Sequence, residues 1–155
     1  MILTLIRHAK SSWSDLSLDD FDRPLNERGN RDAPKMAQWF SENTQERPIL
    51  FSSPANRALS TAKCFEKVLT PIKFNIVDDL YHANLQDYES LILENNHEKH
   101  IVIFGHNPTI SQVAEEMLKT KYVNLKTCSI CQINLVEPDT LSGELNFIKS
   151  PKELT

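Results

Sequence analysis

Short apolar runs alternate with amphipathic helical stretches over most of this chain, and that alternation restricts the fold more than any other feature. Ile2–Ile6 is a run of Ile and Leu that suits a strand buried on both faces. Further runs of this kind are Ile49–Ser52, Phe74–Val77 and Ile101–Phe104, the last being the most apolar and so the expected centre of the sheet. Between them, apolar residues fall at helical spacing: Ala33, Met36, Ala37 and Phe40; then Ala55 to Leu69; then Leu85, Tyr88, Leu91 and Ile92; then Ile110 to Leu118. Pro34 is expected to kink or restart the first of these helices. Ser129–Val136 and Glu144–Ile148 read as two closing strands around a turn at Asp139–Gly143. Strand–helix repetition of this sort predicts an α/β domain, a mostly parallel sheet with helices on both faces, whose ligand lies at the carboxyl ends of the strands.

The length of 155 residues fits one domain, expected over 1–150, with a frayed tail over 151–155. A formal net charge of −4 gives no general attraction for phosphate backbones, which argues against a nucleic-acid partner. No apolar run is long enough to span a bilayer, so no membrane partner is expected either. The N-terminal residues read as a first strand rather than a signal peptide, and three cysteines form no disulfide framework, so a cytoplasmic location is expected. Cys128 and Cys131 match C-x-x-C, but residues three apart on a strand point to opposite faces, so neither metal nor redox chemistry is expected of them. With glycine only at positions 29, 105 and 143, a glycine-rich phosphate loop is excluded.

Three segments place polar or cationic residues just past a predicted strand end: Arg7-His8, Ser52 to Arg57, and Gly105 to Thr109. In the second, Ser53 could cap the helix and Pro54 start it; in the third, Asn107 and Pro108 could do the same. If the three strands are parallel neighbours, Arg7, His8, Arg57 and His106 converge. Two guanidiniums, two imidazoles and nearby helix N-termini describe a pocket for a doubly charged anion such as phosphate. A neutral imidazole in such a pocket can also act as a nucleophile. A histidine at one strand end is ordinarily structural; recurrence at three strand ends is what favours function. Ser11 to Pro24, with Asp15, Asp19, Asp20 and Asp22, is expected to be a long surface loop. Arg23 and Arg28 are expected to pair with neighbouring Asp residues, His97 and His100 to be solvated, and Trp13 and Tyr81 to rim the pocket or simply pack.

Leu5 to Trp13, Asp22 to Gly29, Ser52 to Ala62 and Gly105 to Thr109, in this order and spacing, resemble the histidine phosphatase superfamily, and most closely its small SixA-type phosphohistidine phosphatases. The resemblance implies a phosphoglycerate mutase-like fold, three layers around a mixed, mainly parallel sheet of about six strands. It also implies a metal-independent hydrolase without cofactor. By it, His8 would attack phosphorus and carry a phosphohistidine intermediate, while Arg7, Arg57 and His106 would hold the phosphoryl oxygens. Asn107, Ser12 and His82 are further candidates to touch substrate. The partner would be a phosphohistidine-bearing phosphotransfer or phosphocarrier protein in a signalling or sugar-transport relay, and inorganic phosphate the product.

Two departures stand out. Ala9 replaces the superfamily's common glycine after Arg-His. Where ester-cleaving members carry a glutamate as general acid, His82 falls near the position in Asp78 to Ala83. An alkoxide needs such an acid, whereas the imidazole of a phosphohistidine leaves readily. His82 itself, or an Asp among residues 15–22, could still supply a proton. Two other functions therefore stay open: a phosphomonoesterase for a small metabolite, and a phosphate-binding module without turnover.

Overall fold

A computed structural model describes residues 1–154. Six strands form one sheet: β1 (Ile2–Arg7), β2 (Ile49–Ser52), β3 (Lys73–Ile76), β4 (His100–Gly105), β5 (Ile130–Glu137) and β6 (Ser142–Lys149). The helices are α1 (Glu27–Glu42), α2 (Asn56–Leu69), α3 (Leu85–Glu94) and α4 (Thr109–Leu118). The strand order is β3-β2-β4-β1-β5-β6; the first four strands in that order are parallel, β5 pairs antiparallel with β1, and β6 pairs antiparallel with β5. This is the expected single α/β domain with a mixed sheet and β4 near its middle.

Alternation along the strands sorts the core into two layers. Leu3, Leu5, Ile101 and Ile103 face α3 and α4, where Tyr88, Ile92, Val113 and Met117 meet them. Ile6, Leu50, Val102 and Phe104 face α1 and α2, against Met36, Phe40, Ala62 and Phe65. The small residues Ala58 and Ala62 are fully buried and let α2 lie close to the sheet.

Several sequence expectations are corrected. Pro34 does not break α1, which runs through it as one helix because its apolar face, Ala33 to Phe40, stays anchored in the core. The C-terminal end does not fray: Pro151–Leu154 form a 3-10 turn with Pro151 buried, while Thr155 lies outside the described residues. His97 is exposed, but His100 is fully buried at the start of β4. Its Nε2 lies 2.8 Å from Thr4 Oγ1, and its Nδ1 lies 3.4 Å from the Glu46 carbonyl. Burial drives its pKa from the ordinary imidazole value near 6.5 down to about 4. Cys128 and Cys131 lie in the two different core layers as free, buried thiols, with burial pushing both pKa values up.

α1 starts at the capping residue Asn26, whose side chain accepts from Gly29 N–H at 2.9 Å, and Asn26 N–H donates to the Lys10 carbonyl at 2.9 Å. A Cβ on Gly29 would run into that same Lys10 carbonyl, so only glycine lets the helix approach the segment that follows His8. Gly29→Ala is expected to destabilise the fold by about 1–3 kcal/mol through this overpacking, read as a lower midpoint in urea unfolding. Stability is also expected to fall as pH drops from 6.5 towards 4, because the unfolded chain protonates His100 before the folded one does. Each pH unit in that window costs up to about 1.4 kcal/mol at this residue. Comparing the pH dependence of unfolding in the native chain and His100→Gln isolates it: the variant should show the shallower slope.

Candidate active site

The register of the parallel strands brings three strand ends to one level. Arg7 pairs with Gly105, and Ser52 with Phe104. His8 N–H then donates to the Gly105 carbonyl and Ser53 N–H to the Phe104 carbonyl, each at 3.1 Å. The residues that leave the sheet, His8, Ser53 and His106, therefore emerge side by side. The His8 and His106 rings lie 5.1 Å apart between centroids. Arg57, in the first turn of α2, completes the group.

His8 is 7% exposed, and its Nδ1 lies 2.7 Å from the Ala9 carbonyl. A carbonyl only accepts, so Nδ1 carries the proton and Nε2 presents its lone pair. Burial lowers the pKa of His8 to about 3, helped by the nearby His106, Arg57 and Arg7. The imidazole is thus neutral, oriented and nucleophilic at ordinary pH. His106 is also held neutral, its pKa lowered to about 4 mainly by burial and then by Arg57. Its Nε2 lies 2.7 Å from Ser53 Oγ. Ser53 Oγ also accepts from Ala55 N–H at 3.3 Å.

Among the described residues, four buried side-chain polar atoms have no hydrogen-bond partner, and three of them are here: Arg7 Nε, Arg57 Nε and His106 Nδ1. Buried polar atoms without partners are costly, and the two guanidinium donors among them, Arg7 Nε and Arg57 Nε, are what a site made to receive an anion requires. Arg7 spends one terminal nitrogen on the Leu125 carbonyl at 3.0 Å, which fixes the guanidinium in place. Burial lowers its pKa.

Residues 11–24 form the expected surface loop, exposed from 13 to 22, but the fold ties it down at several points. Ser11 bridges to Leu25, a 3-10 turn covers Asp20–Asp22, and Arg23 is buried. Asp20 is the centre of this segment. It accepts from Arg57 Nη2 at 3.0 Å, from Tyr81 Oη at 2.7 Å and from Arg23 Nη2 at 3.1 Å, while its carbonyl takes Arg57 Nη1 at 2.7 Å. Burial by itself would raise its pKa, but the hydrogen bonds from Tyr81 and Arg57 outweigh it and hold the carboxyl at about 2. Arg23 also lies 3.5 Å above the Trp13 ring. The pairing expected for Arg23 is present, and Arg28 pairs with Asp32 at 3.5 Å.

A cleft of about 400 Å³ opens beside this group, lined by Arg57, Tyr81, His82, His106, Asn107 and neighbouring residues, with no carboxylate in its wall. His82 is an exposed residue in the left-handed region at φ 57°, its ring 4.0 Å from that of Tyr81. Asn107 is occupied structurally: its amide donates to the Leu125 carbonyl at 2.9 Å, and its oxygen accepts from Ser111 Oγ at 2.6 Å. Ser12 Oγ lies 2.8 Å from Ser14 Oγ within residues 11–24 and is not part of the cleft wall. The helix caps differ from expectation, since Ala55 and Pro108 occupy the cap positions of α2 and α4 without side-chain caps. Sequence reasoning missed the roles of Ser53 against His106 and of Asp20 and Tyr81 around Arg57. A serine next to a strand end was visible, but only the fold shows what it touches. No group of three metal-ligating side chains is found among the described residues.

The family model described as histidine phosphatase superfamily, branch 1, matches residues 3–92, which include Arg7, His8, Asp20 and Arg57 and end before His106. An uncharacterized chloroplastic protein of Arabidopsis thaliana is 33% identical over 138 residues, 82% of this chain; the chain spans 63% of that relative's length. Among solved structures, one described as a SixA phosphohistidine phosphatase of Agrobacterium tumefaciens matches with a TM-score of 0.87 at 25% identity, covering 97% of each chain. The protein histidine phosphatase SixA in complex with tungstate matches with a TM-score of 0.88 at 20% identity over 100% of both chains. A phosphoserine phosphatase of Entamoeba histolytica with 3-phosphoglyceric acid matches at 0.70 and 18% identity over 99% of each chain. Converging strand ends, buried unpartnered donors and a neutral, oriented His8 thus accompany a family match over more than half the residues, and the chain belongs to the histidine phosphatase superfamily.

Proposed function

We propose that the protein is a phosphatase that removes the phosphoryl group from a phosphohistidine on a partner protein. The observation that carries this reading is the absence of a proton-bearing carboxyl in the cleft. Among the described residues its wall holds no carboxylate, and Asp20, the acid beside Arg57, is held ionised by donors from Arg57, Tyr81 and Arg23. Such a site has no carboxylic acid to protonate an alkoxide, while an imidazole leaving group needs far less help.

In the proposed reaction, the phosphoryl group lies among Arg7, Arg57 and His106, whose buried donors meet its oxygens. His8 Nε2 attacks phosphorus, its proton staying on Nδ1 against the Ala9 carbonyl. The bond from phosphorus to the partner's imidazole breaks, and that nitrogen keeps the electron pair and takes a proton from solvent. Water then attacks phosphorus, the bond to Nε2 breaks, and inorganic phosphate leaves with His8 restored. The guanidiniums stabilise the charge on the transferring group throughout.

A second reading, a phosphomonoesterase for a small metabolite, draws on His82, whose ring lines the cleft where a proton donor would stand. It also draws on the fold shared with the Entamoeba phosphoserine phosphatase.

Phosphate release from a phosphohistidine-bearing carrier protein and from p-nitrophenyl phosphate, measured side by side, separates the two. The native chain is expected to turn over the first much faster. His8→Ala should lose both activities by about three orders of magnitude or more. Acid-labile label from the phosphorylated carrier should be trapped on the native chain and absent from the variant. Faster ester turnover, abolished by His82→Ala, would favour the metabolite reading. Full activity in His8→Ala would reject the nucleophile.

A further inference from the structure

A second concave feature lies apart from the catalytic cleft. It is a groove of about 270 Å³ between α1, residues 126–127 and the C-terminal turn. Five cations line it, Arg28, Arg31, Lys35, Lys126 and Lys152, with Asp32 as its one acid. The chain as a whole carries a net charge of −4, so this concentration runs against the background. Arg28 pairs with Asp32 at 3.5 Å and reaches Thr127 Oγ1 at 3.3 Å. Arg31, Lys35 and Lys126 are exposed and make no ion pair among the described residues. Like charges gathered together repel one another, and among the described residues no side-chain hydrogen bond or ion pair uses these three.

The groove is joined to the catalytic group through residues 125–128. The Leu125 carbonyl holds Arg7, and Cys128 N–H donates to the carbonyls of Arg7 and His8, each at 3.0 Å. Lys126 and Thr127, between those two anchors, line the groove.

The character of the cations selects the class of occupant. The catalytic pocket holds its guanidiniums fixed, Arg57 buried and bonded to Asp20 and Arg7 half-buried and bonded to the Leu125 carbonyl. The groove instead carries its charge on long, exposed side chains from three segments, which attract and orient a large, oppositely charged surface rather than cage a small anion. We propose that this groove docks an acidic face of the protein that carries the phosphohistidine, an inference that rests on the protein-substrate reading above.

The test uses R31E/K35E/K126E and, as a control for net charge, K63E/K67E/K73E on α2 and β3, all at exposed positions. Each is assayed on a histidine-phosphorylated phosphotransfer domain of negative net charge and on phosphoramidate, a small substrate with the same P–N bond. The groove variant is expected to lose about tenfold or more in kcat/KM for the domain, mostly through KM, and to lose most of its salt dependence. Phosphoramidate turnover should stay within about twofold, and the control should match the native chain on both. Equal domain turnover in native and groove variant overturns the proposal. So does a loss shared by both substrates or by the control. Binding of a short single-stranded DNA that the groove substitutions abolish, with domain turnover intact, assigns the groove to nucleic acid and overturns it too. If the native chain hydrolyses phosphoramidate but not the phosphorylated domain, the protein-substrate reading itself fails, an outcome distinct from failure of the groove alone.

Discussion

The parallel pairing of β1 with β4 is the constraint on which everything else depends. Six consecutive Cα partners, from Ile2 with His100 to Arg7 with Gly105, set these two strands level at their carboxyl ends. β2 is set level with β4 by the same kind of pairing, Ser52 against Phe104. A slip of one residue would turn Leu3 and Leu5 out of one core layer and Ile6 out of the other, so burial on both faces locks the register. The same register presents His8, Ser53 and His106 at the rim. Core packing and site geometry are therefore one constraint, seen at two ends of the same strands.

The site works against ordinary solvation. Two guanidiniums and two imidazoles sit close together and largely out of water, an arrangement that costs free energy without an anion. The imidazoles meet the cost by staying neutral, as their depressed pKa values near 3 and 4 record. Arg57 meets it through Asp20, which uses both its carboxylate and its carbonyl. Arg7 meets part of it through the Leu125 carbonyl. The guanidinium donors left over, Arg7 Nε and Arg57 Nε, are those a phosphoryl group would satisfy. Asp20 thereby ties residues 11–24 to the site by charge, and Tyr81 and Arg23 hold it from either side.

Much of this was legible in the sequence. The six strands and four helices follow from apolar periodicity, with boundaries within a residue or two in most cases. Arg7, His8, Arg57 and His106 are visible as polar residues just past strand ends, and the fold brings them together. Other features were illegible because they depend on partners distant in sequence. His100 reads as a residue of a charged turn, yet its imidazole is taken up by Thr4, 96 residues away. Asn107 reads as a helix cap, yet its amide holds the Leu125 carbonyl instead. Asp20 is one of four acids in a polar stretch, and nothing local distinguishes it from Asp15, Asp19 or Asp22.

The sequence by itself determined the layered α/β architecture, because side-chain period is a local property that hydrophobic burial reads directly. It also determined which cations and imidazoles stand at strand ends, since strand length and the following polar residue are both written in the chain. Only the tertiary structure decided the strand order β3-β2-β4-β1-β5-β6, and with it which of those ends are neighbours. It decided that Asp20 clamps Arg57, that Ser53 meets His106, and that α1 and the C-terminal turn gather their cations into one groove. Each of these depends on distances between segments far apart along the chain, and such distances are set by packing rather than by local propensity.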